Sequence, residues 1–85
     1  MEILWDEPKR QINLKARGMD FADVAEGFFE NALIVSAKGN RYMAIGILDE
    51  EIISVVFRPL GTEALSIISM RHASRKERNA YAKAF

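Results

Sequence analysis

The chain has no cysteine. That excludes a disulfide framework and any thiolate metal site, and it suits a reducing compartment. It has one histidine, His72, and a lone imidazole cannot hold a metal ion. It has no net charge: acids and bases number 12 each. Strong nonspecific binding to nucleic acid rests on counterion release, so it is not expected here. No apolar run approaches the roughly 20 residues that a membrane-spanning helix needs. The opening Met1-Glu2-Ile3-Leu4-Trp5 lacks the basic start and apolar stretch of a signal peptide. A cytoplasmic protein without membrane contact is the expectation. Internal repeats, a Walker loop, a Gly-rich dinucleotide turn, an HExxH pair and a Ser-His-Asp pattern are also missing. Asp49, Glu50, Glu51 and Glu63 do not have metal-ligand spacing, so neither metal nor cofactor is expected.

What remains is a chain of 85 residues, 49% apolar, enough for one domain spanning residues 1–85 with a modest core. Its charge is uneven. The segment through Glu30 carries −3 and the segment from Leu60 onward +3. A local basic face is therefore compatible with a neutral total.

Residues 2–5 read as a short strand. Asp6 suits an N-cap, with Glu7 and Pro8 in the first helical turn and Gly18 past the end. A second helix is expected from Asp20, because Phe21, Val24, Ala25 and Phe28 recur with helical spacing. Strands follow at 41–48, 52–57 and 63–70, with 32–36 a candidate fourth; Gly39-Asn40, Asp49-Glu50-Glu51 and Pro59 to Gly61 mark the turns. Ser74-Arg75-Lys76-Glu77 is a capping box that opens a last helix poor in large apolar residues. The expected fold is α+β: two N-terminal helices, an antiparallel sheet of three to four strands, and a C-terminal helix.

Strand direction sorts the bases. Arg41 starts one strand and Arg58 ends the next, so a meander makes them neighbours. Arg71 ends the last strand at the opposite rim, roughly 20 Å away for strands of about six residues. It is joined there by His72, Arg75 and Lys76, beside the free N–H groups of a helix start. A phosphodiester chain lying across the sheet would touch both rims. The plainer alternatives are that Arg41 and Arg58 pair with nearby acids, that Glu77 only caps its helix, and that Lys9 and Arg10 are solvated.

The N-terminal stretch WDEPKRQINLKARGMDF resembles the opening of the BrnT toxins. Trp5, Asp6, Lys9, Asn13, Gly18 and Phe21 carry the likeness. The ending IISMRHASRKERNAY resembles that family's I-S-x-R-x-A-x-x-x-E-x-x-x-Y through Ile68, Ser69, Arg71, Ala73, Glu77 and Tyr81. Two departures stand out: Ala16-Arg17 where the family commonly has Lys-His, and Ser66 where many members have an arginine.

The resemblance implies a RelE-like fold and the toxin of a type II toxin–antitoxin pair. Such a toxin is an endoribonuclease that cuts RNA without a metal. Its partners would be an RNA substrate and a cognate, BrnA-like antitoxin that binds DNA, so that operator DNA is met only through the antitoxin. The departures admit a second reading, a diverged noncatalytic relative that only binds the antitoxin. Attack by a ribose 2′-OH on phosphorus needs a base, cations for the nonbridging oxygens, and an acid for the leaving oxygen. Arg58 and Arg71 are the expected phosphate clamps. Glu77 and His72 are the expected proton carriers, and Lys9, Arg41, Arg75 and Lys76 the expected RNA guides.

Overall fold

A computed structural model describes residues 1–85. The chain runs β1 (Glu2–Trp5), α1 (Glu7–Arg17), a 3-10 turn (Phe21–Asp23), α2 (Glu26–Glu30), β2 (Leu33–Ala37), β3 (Arg41–Leu48), β4 (Glu51–Leu60), β5 (Ala64–His72) and α3 (Arg75–Ala84). Local chemistry sets most boundaries. The Asp6 carboxylate accepts from the Lys9 N–H at the start of α1, and Gly18 closes it with φ 69°, a left-handed conformation that suits glycine. The capping box at Ser74 and Glu77 is formed in both directions.

Two expectations need correction. The sheet has five strands in the order β1-β5-β4-β3-β2, and it is mixed. β2, β3, β4 and β5 form the antiparallel meander, but β1 lies parallel to β5, with Trp5 opposite Ile67. The second N-terminal helix is not continuous. Phe21, Val24 and Phe28 are buried as the spacing implies, yet Val24 and Ala25 are extended and split the segment into the 3-10 turn and the five-residue α2. Asp20 holds the turn: its carboxylate accepts from the Ala22 N–H and from two nitrogens of Arg10, at 2.6 and 2.9 Å. These bonds, Arg10 foremost, hold the Asp20 carboxyl down at about 2. Tertiary anchoring thus overrides the helical spacing.

The core lies between these segments and one face of the sheet. Phe28 and Phe29 meet edge to face, and Phe29 does the same with Phe57 at 5.3 Å. Gly46 on β3 admits that packing, because a Cβ there would stand 3.1 Å from the Phe28 ring.

Asn13 is the one buried residue of α1. β1 stops beside Ile67, which leaves the rest of β5 without a neighbour on that side. The Asn13 Oδ1 accepts from the Met70 N–H at 3.1 Å, and its Nδ2 donates to the Met19 carbonyl at 3.2 Å. A side chain therefore replaces the missing strand. Asn13→Leu should destabilise the protein by about 1–3 kcal/mol, because the Met70 N–H stays buried without a partner. Thermal melting checks this, at about 4–8 °C per kcal/mol for a domain of this size.

The other sheet face carries α3. Strand alternation puts Ser54, Val56 and Arg58 of β4 there, opposite Arg71, Ser69 and Ser66 of β5. Ile68 has no partner on β4, and the strand bulges at it. α3 has no buried residue of its own, yet it covers Ile45, which is 1% exposed. Polar bonds do much of the holding. The Glu77 Oε1 accepts from the buried Ser54 hydroxyl and from Arg71, each at 2.8 Å, and its Oε2 accepts from Arg71 at 2.9 Å.

Candidate nucleic-acid interface

Beyond the reach of α3, the same sheet face opens into a cleft lined by Asp6, Lys9, Arg41, Arg58, Ser66 and the edge of β5. Arg41 starts β3 and Arg58 lies near the end of β4, so the antiparallel meander brings them to one rim. Lys9 reaches it by another route. The parallel pairing of β1 with β5 puts the first turn of α1 beside Ser66, and Ser66 is the strand partner of Arg58. Its short side chain leaves the floor open. None of Lys9, Arg41 and Arg58 makes an internal ion pair, so three cations share one rim with a single carboxylate, Asp6. The hollow is about 280 Å³ and open on one side, which suits a polymer crossing it better than an enclosed small molecule.

The other expected residues lie elsewhere. Ser54, the partner of Arg71, is four residues from Arg58 along β4, about 13 Å and not 20. Arg71 is not the free clamp the sequence suggested, because Glu77 occupies both ends of its guanidinium. Nor is Glu77 placed to carry protons. It accepts from Arg71, Ser54 and the Ser74 N–H. These donors, Arg71 first, hold its carboxyl at about 2, well below the usual 4.5. His72 faces Ile53 in the ladder, five residues or about 17 Å along β4 from Arg58, with Glu51 at 3.3 Å from its Nε2. Arg75 and Lys76 border a separate open surface on α3. Sequence reasoning treated Asp6 as a cap alone and missed its place in the cleft. The clue was its spacing from Lys9, one helical turn on.

Three unpaired cations around an open hollow on a small α+β domain make a surface suited to a phosphate polymer. Comparison with known proteins makes the class specific. The family model described as the ribonuclease toxin BrnT of type II toxin–antitoxin systems matches residues 5–77. The crystal structure of the Brucella abortus ribonuclease toxin BrnT is similar at 53% identity and a TM-score of 0.82, over 88% of this chain and 99% of that one. A search of curated proteins gives no match. The chain belongs to the BrnT family of ribonuclease toxins, whose members act in type II toxin–antitoxin systems and so have an antitoxin as counterpart. No helix is long and apolar enough to cross a membrane.

Proposed function

We propose that this toxin cuts RNA in the Arg58 cleft, by attack of a ribose 2′-OH on the adjacent phosphorus and without a metal. The observation that carries the reading is the meeting of Lys9, Arg41 and Arg58, all free of internal carboxylates, around one hollow. Arg58 and Arg41 hold the nonbridging oxygens with their forked donors as charge builds there. Asp6 is the only carboxylate in the cleft and takes the 2′-OH proton. One of its oxygens caps α1 and the other is free for the task. Lys9 stands beside the leaving 5′-oxygen and supplies its proton. One carboxylate with basic neighbours is a poor donor set for a divalent ion, which supports metal-independent chemistry. Arg75 and Lys76 widen the cationic surface that draws RNA in.

Family membership supports the rest. The counterpart is a cognate, BrnA-like antitoxin that binds DNA, operator DNA is met only through it, and the pair works in the cytoplasm. Incubation with RNA in EDTA tests the chemistry. The expected products carry 2′,3′-cyclic phosphate and 5′-hydroxyl ends. Cleavage that appears only when a divalent ion is restored, or that leaves 5′-phosphates, would overturn the mechanism.

A further inference from the structure

Lys9 and Ile68 line the Arg58 cleft, and the same two residues line a second hollow. That hollow lies between α1 and the bulged part of β5. Ile12, Ala16 and Arg17 form its helical wall, and Ser69 joins Ile68 on the strand side. The two hollows adjoin, with Lys9 and Ile68 as their common wall, and together they outline a trough with Lys9 at its waist. Arg41 and Arg58 stand at one end and Arg17 at the other, and Arg17 too has no carboxylate partner. Between the cations lies apolar surface. Ile12 is 68% exposed, on a helix whose buried position is Asn13. Arg17 has an ordinary explanation, since cations in a last helical turn are stabilised by the macrodipole. Ile12 has none within the fold: it packs on nothing in the core, and a β-branched residue is a middling helix former.

We infer that the trough is a second nucleotide subsite, which takes the RNA next to the scissile phosphate. Arg17 is eight residues, or about 12 Å, along α1 from Lys9, so it meets a phosphate about two nucleotides from the scissile one, and a base lies flat on Ile12 and Ile68. This rests on the placement of cleavage at Arg58. The order of groups favours RNA over a protein segment, because cations flank apolar surface as phosphates flank bases along a strand. Continuity favours it too, since the apolar strip and the cleft share their walls. Contact with a base face tolerates any base, so this subsite adds affinity with little sequence preference. The RNA therefore runs along α1 and away from Arg71.

The test uses a 2′-O-methyl RNA of about ten nucleotides, within the range a single-strand groove spans. It lacks the nucleophile, so fluorescence anisotropy reads binding alone. The Ile12→Ser, Arg17→Ala double variant should bind about tenfold more weakly. Its salt dependence should be shallower by about 0.7 in log–log slope, the loss of one phosphate contact. Lys83→Ala, which removes one charge from the far end of α3 and no contact with the trough, should weaken binding by less than about twofold. Trimming the RNA from one end should reach a length at which wild type and the double variant bind alike. Arg58→Ala separates the two proposals. If it binds and cleaves like wild type, the cleft assignment itself fails. If it weakens binding while the double variant does not, only the trough inference fails. Loss of antitoxin binding with RNA binding intact in the double variant would assign the trough to the protein partner and overturn the inference. Both substituted side chains are solvent-facing, so unchanged melting temperatures verify that the variants fold.

Discussion

Arg58→Ala should lower RNA cleavage about a hundredfold to a thousandfold, the usual cost of removing one preorganised donor from developing transition-state charge. The melting temperature should barely move. Arg58 is exposed, ends no internal ion pair, and faces the small Ser66 across the ladder. Loss of activity without loss of fold marks a group that works on substrate. Arg58→Lys keeps the charge and loses the fork, so it should recover only part of the rate. Arg71→Ala provides the contrast. Its guanidinium serves Glu77, and its removal should loosen α3 and lower stability while each folded molecule keeps much of its activity. The measurements are single-turnover cleavage in EDTA and thermal melting on the same preparations. A hundredfold rate loss in Arg71→Ala with normal melting, beside a fully active Arg58→Ala, would exchange the roles of the two arginines.

The contrast between those residues shows what the sequence made legible. Local chemistry was readable: the Asp6 cap, Gly18 at the end of α1, the Ser74 box, and the strand positions each rest on neighbours a few residues away. The nearness of Arg41 and Arg58 was also readable, since a meander fixes it. Lys9 joins them only because β1 lies parallel to β5, a pairing of residues more than 60 apart that no local pattern encodes. The same distance hid the role of Asn13, whose partner on β5 stands 57 positions away. The split of the second helix was hidden because Phe21, Val24 and Phe28 bury the same side chains whether or not the backbone between them is helical. The Arg71–Glu77 pair was half visible. A glutamate in a capping box uses one oxygen on its own N-cap and has lone pairs to spare, and an arginine three residues before that cap is within reach. Charge counting saw two basic rims, and only side-chain geometry shows that Arg71, the arginine at the centre of one of them, is paired internally with Glu77.

That neutralised pair sets the second large effect. Glu77→Ala should destabilise the protein by about 3 kcal/mol, or about 12–24 °C in melting temperature. Three losses act together. The capping box of α3 goes, Arg71 loses its counterion, and the Ser54 hydroxyl, 1% exposed, loses its acceptor. The Ser54 loss is the costliest of the three, because that hydroxyl stays buried without an acceptor, whereas Arg71, 38% exposed, can turn to water. α3 has no buried side chain to compensate, so its amides should exchange hydrogen much faster than those of β4 and β5 in the variant. Acid should imitate the substitution. The Glu77 carboxyl ordinarily titrates at 4.5 and is held at about 2 in the fold, with Arg71 the leading cause. As pH falls below 4.5 the unfolded chain takes up the proton first, which favours unfolding. The stabilisation from this group is therefore complete above pH 4.5 and fades as pH falls toward 2. Asp20, held at about 2 by Arg10, adds a fall in the same direction from its ordinary 3.8. Glu77→Gln keeps the shape and removes the proton site. Its stability should start lower at neutral pH and decline less steeply between pH 5 and 2, with Asp20 supplying much of the slope that remains. Denaturant unfolding across that range reads the result, and a slope equal to that of wild type would show that α3 is held by something other than the Glu77 charge.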